Sequence, residues 1–384
     1  MNNFLPLLIT KTNKGNDGAM LSFRKKKEIS SYTKFQFAIH PSVDMEKAID
    51  GIKERVSKLL LEDSLLNINP STKTYTRRTL SDILHPYTPP SPSPNFNSVA
   101  FSSVNTSVPV HFYLSPSSHS VFCFIDHCIA DGLTMYNEVV APIIDNPRFQ
   151  LAKRPLYVPV LTEMHQMYVV ARMAYLYGES LVLRTPALER TSKEQQWAAF
   201  HRIRLGQIKE VKNKLNVPVA AVIMSILIKH LASSLSKLTK SSLKICLSYA
   251  FENEASFNNY SFIILDVKES MTIEMMSVYL AKQLMGRRHE INTMYHLLQL
   301  PSGSSKVQSV VQQTICDAYI AMTMVPEGGD EGPKNIMSWM KNEHYSISTG
   351  INMTAVSIAD EVHISTKVGL RDVKREAFEA DMQF

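Results

Sequence analysis

The sequence predicts a mixed α/β protein made of two domains of similar content. The chain has 384 residues, which is long for a single compact core. Strand-like and helix-like periodicities both occur in each half of the chain. With 45% hydrophobic and 20% charged residues, the composition is that of a globular protein with a large core. We expect an N-terminal half over residues 1–160, a crossover helix and linker over 161–195, and a C-terminal half over 196–384.

The first half begins with a strand that leads into a helix. Apolar residues alternate along residues 34–40, and apolar residues then recur at helical spacing along 45–60. Ser42 or Asp44 can cap that helix. A proline-rich loop over 86–98 precedes three further predicted strands, at residues 98–103, 108–114 and 120–125. Helical spacing resumes at Leu133.

The crossover and second half continue the mixed pattern. A helix is expected over residues 161–183, with a stripe of apolar side chains at helical spacing: Met164, Met167, Tyr168, Ala171, Ala174 and Tyr175. Such a stripe usually packs into a core, so we expect these residues to be buried. Strands are expected at 202–205, 243–249 and 261–267, and helices at 206–215, 217–235 and 272–288. A terminal hairpin is expected over 351–358 and 361–368, with its turn at 359–360.

Charge and cysteine content exclude several classes of protein. The net charge is +6, but the one basic run, at residues 24–27, is expected to be a solvated turn, and no basic stripe with interleaved aromatics indicates nucleic-acid binding. None of the four cysteines forms a CxxC pair, so we expect free thiols in a reducing, cytoplasmic compartment.

The N-terminus is a poor signal peptide. The longest apolar segment, 217–228, is too short to span a bilayer, which leaves only peripheral membrane contact open.

The most informative segment lies where the strand at 120–125 ends. Asp126 and His127 follow that strand, Asp131 and Gly132 come next, and a helix begins. An imidazole at a strand end can act as a general base near neutral pH, and a glycine permits a tight turn or close approach of a ligand. An aspartate four residues after a histidine arises by chance about once in two such chains. His40 provides such a match, but without the glycine, and fits a helix cap.

The motif His127-x-x-x-Asp131-Gly132 resembles the HxxxDG signature of the chloramphenicol-acetyltransferase and condensation-domain superfamily. Within it, the chain is most similar to wax ester synthase/diacylglycerol acyltransferases, in which Asp126 would occupy the place of a first histidine. Further similar segments follow in the same order: 203–209, 215–224, 258–259, 323–326 and 351–372.

This resemblance implies a fold and a mechanism. The fold would be two chloramphenicol-acetyltransferase-like domains in a V with a central active-site tunnel. His127 would deprotonate an acceptor hydroxyl that attacks the thioester of acyl-CoA, a co-substrate, with no bound cofactor or metal. Asp131 would be structural, with an arginine partner that the sequence does not identify, and Asp126 and Gly132 would support the site. Candidate oxyanion or substrate contacts are the Gly132 backbone N–H and the side chains of Ser348, Thr349 and Asn352.

Other functions remain open at this point. An acyl-carrier-dependent enzyme that forms an ester or amide, and a catalytically silent binding module, would both fit the same fold. The sequence has no GxSxG, Walker loop, GxGxxG or HExxH motif. We expect His111, His119 and His230 to be surface residues rather than metal ligands. We also expect a monomer that binds a small-molecule acyl donor and an alcohol.

Overall fold

The computed structural model describes residues 32–39, 43–62, 64–70, 72, 74–87, 105, 107–126, 129–130, 132–144, 163–182, 197–235, 242–250, 260–287, 290–291, 294–295, 316–324, 338–344, 351–358, 360–371 and 373–380. The chain divides into two compact units, each with its own sheet. The first unit contains the described residues between 32 and 144 together with Met324 and 338–344. The second contains those between 163 and 323 and those from 351 onwards. Segments of the two units therefore alternate along the chain, whereas each half expected from the sequence is one continuous stretch.

The secondary structure alternates throughout the described chain. The strands are β1 (Tyr32–Ala38), β2 (Leu84–Pro86), β3 (Val110–Ser115), β4 (Ser120–Asp126), β5 (Trp197–Arg204), β6 (Ser242–Ala250), β7 (Tyr260–Lys268), β8 (Ala318–Met324), β9 (Ser338–His344), β10 (Ile351–Ile358) and β11 (Glu361–Val368). The α-helices are α1 (Met45–Leu61), α2 (Leu80–Ile83), α3 (the consecutive segments Gly132–Met135, Tyr136–Val140 and Ala141–Ile144), α4 (Glu163–Val182), α5 (Leu205–Leu215), α6 (Val219–Ser234), α7 (Ile273–Gly286) and α8 (Arg375–Glu379). The mixed α/β prediction is confirmed, and the predicted strand at 98–103 lies outside the described residues.

The sheet of the first unit has β4 near its centre. Its described strands run in the order β2-β3-β4-β1-β9, with β2 parallel to β3 and the other pairs antiparallel. All seven residues of β4 are buried, which agrees with a strand that has a neighbour on both sides and is covered on both faces. β9 enters this sheet from far along the chain and was not predicted as a strand.

Helix α1 forms where the sequence predicted it because its start is capped and one face is apolar. The Asp44 carboxylate accepts hydrogen bonds from the backbone N–H groups of Glu46 at 2.9 Å and Lys47 at 3.4 Å. The buried face lies at steps of four, four and three residues and consists of Ala48, Ile52, Val56 and Leu59. The cap thus satisfies two backbone donors while the apolar face packs into the first unit.

The second unit contains a larger sheet, whose described strands run in the order β5-β11-β10-β8-β6-β7. The predicted hairpin has the predicted bounds, with Ile358 paired to Glu361 at its turn and Ile351 to Val368 at its open end. Helix α5 ends at Asn216, which adopts the left-handed conformation with φ 50° and so allows α6 to begin in a new direction. The strand predicted at 202–205 extends further towards the N-terminus as β5.

Helix α6 is the central helix of the second unit. Every residue from Ala221 to Ile228 is buried, as expected of a helix that is apolar around its whole circumference. It packs against α7, where Ser277 Oγ donates to Ser225 Oγ at 3.1 Å. No single described helix has the length and hydropathy to cross a bilayer, although the pair α5 and α6, bent by 110°, passes by length and composition alone.

Helix α4 corrects one expectation from the sequence. The stripe expected in the core is exposed: Met164 is 79% exposed, Met167 71%, Tyr168 54% and Tyr175 67%. The opposite side of the helix packs instead, because Met173 contacts the buried cluster that includes Cys246 and Phe262. Helical spacing identified an apolar face correctly but could not tell which side of α4 the protein covers.

Candidate active site

Strand β4 brings the chain to the motif and ends at Asp126. The Asp126 side chain is completely buried. Its backbone N–H donates to the Pro109 carbonyl at 2.8 Å, and its carbonyl accepts from the Ile129 N–H at 3.4 Å. The first of these bonds extends the pairing of β4 with the segment before β3, and the second joins the strand end to Ile129. Two backbone hydrogen bonds thus hold Asp126 at the end of β4.

The sequence-predicted site residues fall partly within the described structure. Gly132 is the first residue of α3. Asn352 lies in β10, in register with Lys367 of β11. Asp126 and Gly132 belong to the first unit and Asn352 to the second. His127, Asp131, Ser348 and Thr349 lie outside the described residues.

The helix after the motif contains a widened turn that the sequence pattern did not indicate. The five residues Tyr136–Val140 of α3 form a π-helical segment between two α-helical segments. Tyr136, Val139 and Val140 are buried. Such segments are rare and frequently occur at functional sites. Here the widened turn begins four residues after Gly132, about one helical turn from the motif.

An arginine fixes the far end of α3. Arg55 of α1 donates from Nε to the carbonyl oxygen of Ile143 at 2.7 Å. The last carbonyl groups of a helix have no partner within the helix, and a cation there also interacts favourably with the helix dipole. Arg55 therefore ties α3 to α1, and through α3 it stabilises the helix that begins at Gly132.

A histidine pair, in which His111 is buried and His85 is half-buried, lies on the side of β3 towards the sheet edge and corrects a second expectation. His111, expected at the surface, is 1% exposed. Its Nδ1 lies 2.9 Å from Nε2 of His85 on the parallel strand β2, and its Nε2 lies 3.0 Å from the carbonyl oxygen of Asn105. The Tyr113 ring lies over His85, with centroids 4.9 Å apart. The pair joins β2 to β3 through side chains as well as backbone.

The environment of the pair disfavours protonation. Burial lowers the pKa of His111 to about 4, although the Asn105 carbonyl acts in the opposite direction. Burial likewise lowers the pKa of His85. The charged neighbours are Asp82, whose pKa is lowered mainly by the Thr79 backbone N–H, and the cation Arg78. Both rings are therefore neutral at neutral pH, which allows one to donate to the other.

The described cysteines are free thiols. Cys123, Cys246 and Cys316 are buried, and Cys128 lies outside the described residues. Burial raises the pKa values of Cys123 and Cys316 well above the ordinary thiol value, so these thiols are protonated and poor nucleophiles. Among the described residues, no cluster of three or more His, Cys, Asp or Glu side chains could hold a metal ion.

Comparison with known proteins shows similarity of structure without similarity of sequence. No protein-family model and no curated protein sequence matches the chain. Among solved structures, the wax ester synthase/diacylglycerol acyltransferase from Marinobacter aquaeolei VT8 has a TM-score of 0.53 and 14% identity, covering 94% of this chain and 96% of that one. The TRI3 trichothecene 15-O-acetyltransferase from Fusarium sporotrichioides has a TM-score of 0.59 and 9% identity, covering 92% and 89%.

A nonribosomal peptide synthetase, FmoA3, has a TM-score of 0.58 and 10% identity over 94% of this chain. The chain spans only about two fifths of that synthetase, since 40% of it is covered. These likenesses show that the chain shares the fold of these two transferases and of part of that synthetase. That fold is shared by acyltransferases and condensation enzymes, as the HxxxDG resemblance implied.

Proposed function

We propose that the chain is an acyltransferase that transfers an acyl group from acyl-CoA to a hydroxyl group, with His127 as the general base. The observation that carries the proposal is the position of the motif. It begins directly after Asp126, the buried end of a central strand, and ends at Gly132, the first residue of α3. Both ends of the segment that contains His127 therefore belong to ordered elements of an acyltransferase fold.

In the proposed reaction the acceptor is an alcohol and the acyl donor is a thioester. The imidazole of His127 takes the hydroxyl proton as the oxygen attacks the thioester carbon. The tetrahedral intermediate then collapses, the carbon–sulfur bond breaks, and the proton on the imidazolium passes to the departing sulfur. The products are an ester and free coenzyme A, and no acyl-enzyme forms.

The remaining residues would support this step. The Gly132 backbone N–H and the side chains of Ser348, Thr349 and Asn352 are proposed to contact the oxyanion or the substrate. Asp131 is proposed to hold the loop, and Asp126 to fix the strand end next to His127. A site in a tunnel between two domains arranged in a V, and a fatty acyl donor with an alcohol acceptor, belong to the same proposal.

Thiol release from a panel of acyl-CoA donors, with and without alcohols, tests the proposal. We expect acceptor-dependent release from the wild-type chain and a loss of about 100-fold or more in His127→Ala, since general-base catalysis contributes about that much. His119→Asn is the matched control, because His119 is exposed, lies in the turn before β4, and has a positive φ that asparagine tolerates. Equal release by wild type and His127→Ala would contradict the proposal.

A carrier-bound donor is the second candidate, favoured by the likeness to a peptide synthetase. In that case the same histidine would act on a thioester attached to a carrier protein, and the product would be an ester or amide. Release from carrier-bound but not CoA-bound donors would replace the first proposal with this one. No release from either donor by the folded chain would indicate a binding module.

A further inference from the structure

Helix α4 carries an exposed apolar surface on one side. We define the Met–Tyr face as Met164, Met167, Tyr168, Ala171, Ala174 and Tyr175. All six residues are exposed, and the four large side chains are exposed at between 54% and 79%. Val170 and Tyr177 extend the apolar surface along one side, at 54% and 40% exposed. Single exposed apolar residues are common, but a continuous face of this kind marks an interaction surface.

One flank of the face and the opposite side of α4 are already occupied. Arg172 Nε lies 3.6 Å from Glu290, and Lys244 Nζ donates to Glu179 at 2.5 Å. Met173 packs against the buried cluster of the second unit. The helix is therefore fastened by one side, and the Met–Tyr face remains directed away from the unit that holds it.

We propose that the Met–Tyr face is the contact surface of a homodimer, in which α4 pairs antiparallel with α4 of a second copy about a two-fold axis at Ala171. This departs from the monomer expected from the sequence. It does not depend on the proposed acyltransferase activity.

The spacing of the face is that of a helix–helix seam. Its residues recur at steps of three and four, as in the apolar stripe of a two-helix coiled coil. A two-fold pairing places the same surface on both partners, so each residue meets one at an equal distance beyond the axis. About Ala171, Tyr168 would meet Ala174, and Met164 would meet Gly178.

The sizes of the side chains favour the antiparallel arrangement. About the axis at Ala171, Met164 and Tyr168 would meet the small residues Gly178 and Ala174, so an antiparallel partner sets these two large side chains against small ones. Met167 would then meet Tyr175, a favourable sulfur–aromatic contact. A parallel partner would set Met164 against itself and leave a gap at Ala171 and Ala174.

The area and the charge of the Met–Tyr face also agree with contact to a second copy of the chain. With side-chain areas of about 150–250 Å² for the tyrosines, the face presents roughly 600–800 Å², comparable to the ~800 Å² per partner of a standard interface. A two-fold axis brings identical surfaces together, so any charge on them would repel its own copy. The six residues of the face carry no charge, and Arg172 and Glu179, which flank the face four residues after Tyr168 and Tyr175, are engaged in ion pairs.

Sedimentation velocity of the full chain over micromolar concentrations tests the dimer. We expect a mass of twice the 43.4 kDa chain at the upper end of the range. Ala171→Glu should raise the dissociation constant by about 100-fold or more, because two carboxylates would meet at the axis. Met285→Glu is the matched control, since Met285 is 61% exposed on α7 and lies outside the face. A wild-type monomer at all concentrations, or a dimer unchanged by Ala171→Glu, would overturn the proposal.

Mixing variants makes the test specific for a two-fold pairing. Ala171→Glu and Ala171→Lys should each be monomeric and should form a dimer when mixed, because unlike charges then meet at the axis. Circular dichroism checks that both variants are folded. Flotation with phosphatidylcholine vesicles tests whether the face binds a lipid surface instead of a second copy. The dimer proposal would be overturned if the wild-type chain were monomeric and floated with the vesicles while Ala171→Glu did not float. That result would assign the face to a lipid surface.

Discussion

The Nε2 atom of His85 lies 2.9 Å from the Nδ1 atom of His111, so one imidazole ring donates a hydrogen bond to the other across the parallel pair β2 and β3. The second ring nitrogen of His111 contacts the Asn105 carbonyl at 3.0 Å. This arrangement needs at least one acceptor nitrogen, so full protonation of both rings breaks it. The pair therefore links the stability of the sheet edge to pH.

The first prediction concerns this pH dependence. Burial lowers the pKa of His111 from 6.5 to about 4, so the unfolded chain binds the proton more readily than the folded chain. The contribution is complete above about pH 6.5 and is lost as the pH falls towards 4. We expect the free energy of unfolding to fall by about 2 kcal/mol from this residue between pH 7 and pH 5. Urea unfolding at the two pH values measures the change.

The variant His111→Phe should remove that part of the pH dependence while keeping an aromatic ring in the buried site. It should also lower the free energy of unfolding at pH 7, since the His85 ring loses a partner. His119→Asn, at an exposed position in the turn before β4, should leave the wild-type dependence unchanged. A His111→Phe variant that retains the full wild-type pH dependence would refute the assignment.

The second prediction concerns Asp126. Its side chain is fully buried at the end of β4, and a buried carboxyl group normally has polar neighbours that depend on it. Asp126→Leu should lower the free energy of unfolding by about 1–3 kcal/mol, and Asp126→Asn by less, because the amide keeps the shape and an acceptor oxygen. Urea unfolding separates the two variants. Equal and negligible effects would mean that the carboxyl contributes no polar interaction there.

The third prediction concerns the link between α1 and α3. Arg55→Met keeps the aliphatic stem but removes the hydrogen bond from Nε to the Ile143 carbonyl. We expect a loss of about 1–3 kcal/mol of unfolding free energy, typical of a hydrogen bond from a charged group. Lys53→Met is the control on the same helix, because Lys53 pairs with Asp50 only at the surface. That control should change stability by about 0–0.5 kcal/mol, and an equal loss in both variants would contradict the role given to Arg55.

The fourth prediction concerns the C-terminal helix α8. Phe378 is completely buried, with the rings of Trp197, His201 and His230 within 5.7 Å of its centroid. Phe378→Ala should cost about 3–5 kcal/mol, because it leaves a cavity between α8, α6 and β5. Glu376→Ala, at an exposed position on the same helix, should cost little. Thermal or urea unfolding of both variants gives the comparison.

Local signals predicted many elements of the fold. Helix α1 was predicted from its apolar spacing and a cap at Ser42 or Asp44, of which Asp44 is the cap in the structure. Helix α7 is capped at Thr272, whose hydroxyl accepts from the Met275 N–H at 3.2 Å. The terminal hairpin has both predicted strands because its turn lies between two alternating runs. In each case the determining interactions lie within a few residues along the chain, where a sequence pattern records them.

Sequence patterns of this kind did not predict the pairings between residues that are far apart in the chain. β9 joins the first sheet through β1, which is about three hundred residues earlier in the chain, and its polar sequence lacks a strand-like alternation. His85 and His111 are 26 residues apart and meet only because β2 and β3 are parallel neighbours. The exposed side of α4 also depends on which of its faces the second unit covers. Topology determines these features, and a periodicity does not encode it.

The proposed role of His127 is that of general base for acyl transfer, in a fold shared with acyltransferases. Mass spectrometry can measure the ester formed from acyl-CoA and an alcohol. Wild type, His127→Ala and His119→Asn are compared at equal concentrations of folded protein. We expect an ester from wild type and His119→Asn, and about 100-fold less or none from His127→Ala. Ester formation at the wild-type rate by His127→Ala, or no ester from the folded wild-type chain with any donor, would contradict it.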